Sequence, residues 1–138
     1  MSGGYQNVRV IDPTTEEPYG GSGAPPGVPT ADALTTPLGH QSVTVTNTAT
    51  TLAALLSAAT ATAKTAIPAA TRTIWFQPAG DVRFAAGGDT PNTATDASRV
   101  GDNIIADQWV PLTMSVALLG AIKFVAASNT IMAVRFEG

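Results

Sequence analysis

Hydrophobic and polar residues alternate along most of the chain after residue 40. Val43 and Val45 alternate with Thr44 and Thr46, so the valines share one face of an extended segment, as a half-buried strand requires. Further segments rich in β-branched and aromatic residues lie at positions 73–77, 82–85, 108–114, 121–126 and 130–136. This pattern predicts an all-β fold for residues 41–138, namely an antiparallel β-sandwich that is jelly-roll-like or similar.

Short polar turns separate some of these segments. The turn Pro78-Ala79-Gly80-Asp81 predicts a hairpin connection between residues 73–77 and residues 82–85. The turn Ala127-Ser128-Asn129 joins the last two segments. We therefore expect neighbouring strands at both places.

Two segments leave their structure open. Residues 51–66 are rich in Ala, Thr and Leu, and the leucines at 52, 55 and 56 have helical spacing behind Thr50 or Thr51 as N-caps, whereas the threonines favour strand. A short helix and a strand both remain alternatives there. Residues 87–103 begin with turn chemistry and are long for a connection. They form either an interaction loop or a loop with a short strand within residues 99–105.

Residues 1–40 differ in composition from the rest, because they hold six of the ten prolines and few large apolar residues. Such a segment cannot bury enough surface to offset its ordering entropy, which predicts an extended Pro/Gly-rich N-terminal arm ahead of a domain at residues 41–138. The arm carries one basic and four acidic residues, whereas residues 41–138 carry six of each. Its apolar side chains available to bind a partner are Tyr5, Val8, Val10, Ile11, Tyr19, Val28 and Leu34.

The charge content argues against several partners. The net charge is −3 and only 12% of the residues are charged, so a basic footprint for nucleic acid or an anionic membrane is missing. The N-terminus has no signal-peptide pattern and no apolar run approaches the roughly 20 residues of a membrane span. We expect a protein made in the cytoplasm, without disulfides or cysteine-ligated metal, since it has no cysteine.

Residues capable of catalysis are few. His40 is the only histidine and stands where the arm meets the body, which favours a linker role. Glu16 and Glu17 lie in the arm, where a catalytic pair would have no fixed separation. We expect no enzymatic activity and no cofactor.

Residues 87–103 also contain three aspartates, Asp89, Asp96 and Asp102. Their oxygens are suitable calcium ligands, but their spacing does not match an EF-hand, so a solvated loop is the favoured interpretation and a metal site the other. The aromatic residues Trp75, Trp109, Phe76 and Phe84 are interpreted as core or interface anchors, with stacking on a sugar or a base as the alternative.

A family resemblance rests on turns and strands of the second half. An aromatic strand ends in Phe76-Gln77-Pro78-Ala79-Gly80 and is followed by Asp81-Val82-Arg83-Phe84, by the loop Gly88-Asp89-Thr90-Pro91 and by a closing hairpin within residues 122–131. In these features residues 74–137 resemble small β-sandwich proteins from the virions of tailed bacteriophages, which occur as head decoration, neck, tail or fibre-base components. The resemblance implies a structural role in the virion, and no ligand-binding residue is carried over.

Together these observations predict a virion structural protein, in first place a decoration or cement protein that binds the major capsid protein or another virion protein. A neck, tail or fibre-anchor subunit is the alternative within that class. A homo-oligomer is expected, and a trimer follows from the resemblance, since decoration proteins commonly sit on threefold axes. The alternative from another class is a carbohydrate-binding module, assisted by calcium at the loop of Asp89 to Asp102.

Overall fold

The computed structural model describes residues 35–60 and 63–138, so the predicted contact residues of the arm, Tyr5 to Leu34, lie outside the described residues. The described residues form eight strands and two short helices. They are β1 (Pro37–Val45), β2 (Thr50–Thr51), α1 (Leu52–Ser57), β3 (Thr73–Pro78), β4 (Val82–Ala85), β5 (Asp102–Ile104), β6 (Val110–Thr113), α2 (Val116–Ala121), β7 (Lys123–Val125) and β8 (Thr130–Glu137).

The strands form two four-stranded antiparallel sheets, one in the order β1-β8-β3-β6 and the other in the order β2-β7-β4-β5. The first half of the chain pairs with the second half as in one long antiparallel hairpin, through the pairs β1–β8, β2–β7, β3–β6 and β4–β5. This hairpin is folded over so that its strands are divided between the two sheets. This pairing is the strand order of an eight-stranded jelly roll, which contains two Greek keys. The predicted all-β sandwich is confirmed.

The core lies between the two sheets and follows from the alternation in the sequence. Along β8, Met132, Val134 and Phe136 point inward and are buried, while the residues between them are more exposed. Phe76 of β3 meets Phe124 of β7 with ring centroids 5.0 Å apart, so an aromatic contact joins the sheets at the centre. Fully buried aromatic and aliphatic side chains dominate this interior, as expected for a close-packed sandwich.

Both sequence-predicted hairpins are wrong in their pairing. The turn at residues 78–81 connects β3 to β4, and these strands belong to different sheets. Residues 126–129 likewise connect β7 to β8 across the sandwich. The turn residues reverse the chain as predicted, but the strands then pair with partners distant in sequence because that places both sets of apolar side chains in one core.

The structure resolves both segments whose conformation the sequence left open. Residues 52–57 form a helix, and the Thr51 hydroxyl accepts a hydrogen bond from the backbone N–H of Ala54 at its N-terminus. The loop of residues 87–103 contains strand β5 at its end. The second helix was not predicted, although Ser115 caps it in the same way through the N–H of Leu118.

The first strand begins at Pro37, four residues before the predicted start of the body. Thr36 exchanges two backbone hydrogen bonds with Gly138, at 2.6 and 2.9 Å, and residues 36–138 form one compact unit. His40 therefore lies within β1, opposite Arg135 of β8, and not in a linker. Proline is tolerated at Pro37 and Pro111 because β1 and β6 are the edges of their sheet. No helix in the described part of the chain is long and apolar enough to cross a membrane.

Candidate functional site

A tryptophan–arginine–tryptophan cluster lies on the outer face of the β1-β8-β3-β6 sheet. The guanidinium carbon of Arg135 stands 5.3 Å from the ring centroid of Trp75 and 4.9 Å from that of Trp109. Both distances are within the range of a cation–π interaction. Trp109 is 40% exposed, so part of an aromatic ring faces solvent beside the cation.

Strand register brings these three residues together. Trp75 of β3 is directly opposite Arg135 of β8, and Trp109 immediately precedes β6, the other neighbour of β3. Since successive side chains on a strand point to opposite faces, Ile74 and Phe76 enter the core while Trp75 points outward. The same alternation that builds the core thus presents the cluster.

The charge of Arg135 is balanced locally. Its Nε lies 3.2 Å from Oε1 of Glu137, two residues along the same face of β8. The indole nitrogen of Trp75 is buried and has no hydrogen-bond acceptor among the described residues. The cluster therefore offers aromatic surface and a fixed guanidinium with little net charge.

Apolar and hydroxyl side chains lie near the cluster on the same sheet. Ile131 of β8 is 61% exposed, and a shallow depression of about 190 Å³ lies between it and Asp107. Across the sheet, Thr73 and Thr113 share a hydrogen bond of 2.8 Å between their hydroxyls. Apolar, hydroxyl and aromatic groups together on one sheet face are suited to contact with another macromolecule.

Arg83 organises the outer face of the second sheet. It is 9% exposed, and its Nε donates a 3.0 Å hydrogen bond to Oδ1 of Asn103, while Nη1 donates to the carbonyl oxygens of Asn92 and Ala94 at 2.6 Å each. The side chain of Asn92 joins two parts of the loop, because its Oδ1 accepts hydrogen bonds from the backbone N–H groups of Ala94 and Val100. The loop between β4 and β5 is thereby held against the sheet.

Hydrogen bonds within the loop engage the carboxylate of Asp96. Oδ1 of Asp96 accepts hydrogen bonds from Oγ of Ser98 at 2.6 Å and from its N–H at 2.9 Å, and these bonds lower the pKa of Asp96 below 3.8. Within residues 35–60 and 63–138, no three His, Cys, Asp or Glu side chains come together in a way that would hold a metal ion.

The two short helices border an apolar groove of about 480 Å³. Small residues form much of its wall. A Cβ atom built on Gly120 of α2 would lie 3.7 Å from Cβ of Ala53 in α1 and 3.6 Å from Cδ1 of Ile67. Leu118 of α2 is 57% exposed. This region differs from the two sheet faces because charged side chains are absent from its lining in the described part of the protein.

Sequence reasoning identified some of these residues and missed others. The phenylalanines 76 and 84 contribute to the core, whereas both tryptophans lie on an outer sheet face. Arg135 was missed because its partners lie about 25 and 60 residues away in the sequence. The one local signal is its place in the polar phase of β8, two residues before Glu137.

Comparisons with known proteins add no relative. No protein-family model matches the chain, and neither the curated proteins nor the solved structures compared with it give a match. The functional proposal therefore rests on the sequence, the strand order and the surface chemistry of the protein.

Proposed function

We propose that this protein is a virion structural protein of a tailed bacteriophage, a capsid decoration or cement protein that binds the head shell. The jelly-roll strand order supports this role, since that architecture is frequent in viral capsid domains and also occurs elsewhere. The low charge content and the resemblance of residues 74–137 to small virion proteins support it as well.

The observation that carries the proposal is the cluster of Trp75, Arg135 and Trp109. Tryptophan and arginine are the residue types enriched at the energetic centres of protein–protein interfaces. Here they stand stacked on a regular sheet, so little side-chain entropy remains to be lost when a partner docks. We assign this face to contact with the major capsid protein.

Two further parts of the proposal concern assembly. The apolar side chains of the arm, from Tyr5 to Leu34, act as a second docking element on the same particle, and the body forms a homo-oligomer, with three copies around a threefold axis. A nearly neutral body favours close association, because like-charge repulsion between copies is small. A neck, tail or fibre-anchor position remains the alternative within the virion.

A carbohydrate-binding module is the second candidate, favoured by the solvent-facing ring of Trp109. Jelly rolls also occur among lectins, and aromatic rings next to hydrogen-bonding groups can bind sugars. In that case Trp109 would lie under a sugar ring while Arg135 and Glu137 would bond to its hydroxyls.

Binding to purified particles tests the proposal. We expect the full chain to cosediment with heads assembled from the major capsid protein, and Trp109→Ala to weaken binding by at least about tenfold, the usual effect of losing an interface anchor. Leu118→Ala is the matched control, because it removes an apolar side chain of α2 that is even more exposed, at 57% against 40% for Trp109. Binding to isolated tails or necks but not to heads would favour the alternative position.

Intrinsic fluorescence separates the two classes of function. Both tryptophans of the chain belong to this cluster, so their emission reports on this face alone. We expect a change on adding heads and none with a panel of bacterial glycans. A saturable change with a glycan and none with any particle component would contradict the virion proposal.

A further inference from the structure

The second sheet carries a buried positive charge without a carboxylate partner. Arg83 is 91% buried, and its guanidinium donates hydrogen bonds to three neutral amide and carbonyl oxygens, those of Asn103, Asn92 and Ala94. Among the described residues the ion pair within 4.0 Å is that of Arg135 with Glu137, on the other sheet. Burying a cation without an anion is costly, so an anion that reached this guanidinium would be bound favourably.

The donors of Arg83 are only partly used. A guanidinium has five N–H donors, of which Nε contributes one and each terminal nitrogen two. Nε and both N–H groups of Nη1 are engaged, which leaves the two donors of Nη2 without an acceptor in residues 35–60 and 63–138. These remaining donors belong to a side chain that lines a cavity.

The cavity beside Arg83 has the size and lining for a small polar group. Its volume is about 230 Å³, which is room for a small organic acid. Thr93 and Thr95 of the loop line it with Arg83, and Val125 and Ala127 supply an apolar wall. Hydroxyl and guanidinium donors next to an apolar wall are the groups that bind a carboxylate and the methylene that bears it.

Asp81 also borders the cavity and sets a limit on its ligand. Its Oδ1 accepts a 3.0 Å hydrogen bond from the backbone N–H of Ala106, so this carboxylate is held by the turn and makes no ion pair with Arg83 within 4.0 Å. Asp81 repels an anion in the cavity, whereas it would bind the hydroxyl of a neutral sugar. This difference makes the ligand class testable.

From these contacts we infer that the cavity is a carboxylate-binding site in which Nη2 of Arg83, Thr93 and Thr95 donate hydrogen bonds to the ligand. The site lies on the opposite sheet from the tryptophan cluster and does not depend on the proposed function. Its carboxylate comes either from a free small acid or from an acidic side chain of another protein. The chemistry is the same in both cases.

Titration of the ¹⁵N-labelled full chain with sodium acetate tests the inference, with sodium chloride at equal ionic strength as the reference. Saturable shifts are expected for Nε–H of Arg83 and for the backbone N–H groups of Thr93, Thr95 and Ala127. A blocked glutamate, N-acetyl-glutamate amide, forms the second arm. Tighter binding of the blocked glutamate assigns the site to a protein side chain, and equal or tighter binding of acetate assigns it to a small acid.

Variants make the result decisive. Asp81→Asn keeps the acceptor for Ala106 and removes the repulsion, so acetate should bind about threefold or more tightly. Arg83→Lys should weaken binding by about tenfold, because lysine lacks the planar fork. If Arg83→Lys also loosens the loop, the change in acetate affinity caused by Asp81→Asn still tests whether the site binds an anion. Acetate shifts no larger than those of chloride, or acetate binding weakened by Asp81→Asn, would overturn the proposal.

Discussion

The ring of Phe76 packs against the ring of Phe124 at a centroid distance of 5.0 Å and an interplanar angle of 51°. The two residues lie in different sheets, and a second contact from Phe84 to Phe124 at 6.2 Å extends the aromatic group within the second sheet. Phe124 therefore stands at the point where the two halves of the jelly roll meet. Tilted rings at this distance are a favourable geometry beyond the area they bury.

Phe124→Ala should lower the free energy of unfolding by about 3–5 kcal/mol, because it leaves a cavity between the sheets and removes both ring contacts. Denaturation in urea monitored by circular dichroism measures this loss. Ile131→Ala, at an exposed position of β8, is the control and should change stability by less than about 0.5 kcal/mol. Equal effects of the two substitutions would contradict the assignment of Phe124 to the core.

Local pattern was sufficient for the strands but not for their partners. The alternation at Val43 and Val45, or at Ile74 and Phe76, states which side of a strand is apolar, and this is a property of neighbouring residues. Pairing depends on contacts distant in sequence, such as Phe76 with Phe124. For this reason the segments were predicted and the two hairpins were wrong.

The candidate sites were harder to predict from the sequence, because they too depend on contacts between residues distant in sequence. Arg135 becomes recognisable only when register places it opposite Trp75, and Arg83 only when the loop folds back onto it. The helix α2 has a visible cap at Ser115, but its six residues include a glycine and adjoin a strand, so the apolar run gave no clear period. Long-range geometry supplies these features.

Gly101→Ala should destabilise the protein by about 2 kcal/mol or more, since Gly101 has φ of +102° and a Cβ there would lie 2.6 Å from the carbonyl oxygen of Phe84. Gly88→Ala is a matched control, because its φ is +91° and no atom lies within 4 Å of its Cβ position. The difference between the two variants in thermal unfolding measures the close approach of the loop to β4. Indistinguishable unfolding would show that the loop has room at Gly101.

Ser98→Ala should raise the pKa of Asp96 toward 3.8, because the Ser98 hydroxyl is the largest cause of its depression, while the backbone N–H continues to lower it. With a folded-state pKa below the unfolded one, the contribution of Asp96 to stability is present above about pH 4 and disappears as the pH falls through the folded-state pKa. Carboxyl ¹³C NMR over pH 2–6 measures the shift. Ser57→Ala, in α1, is the control, and an unchanged Asp96 titration in Ser98→Ala would contradict the hydrogen bond.

Deletion of residues 2–34 should leave the unfolding of the body almost unchanged, because every buried core side chain of the described structure lies between Val43 and Phe136. The cut must stop before Thr36, whose backbone pairs with Gly138, and before Pro37, where β1 begins. We expect the midpoint of thermal unfolding to move by less than about 4 °C, which corresponds to under about 1 kcal/mol for a body of this size, whereas binding to heads should weaken. A second deletion that extends to residue 40 is the comparison: it removes the start of an edge strand and its pairing with β8, and should therefore destabilise the body itself. If the shorter deletion lowers stability as much as the longer one while binding to heads is retained, the arm belongs to the fold and the predicted docking role of Tyr5 to Leu34 is wrong.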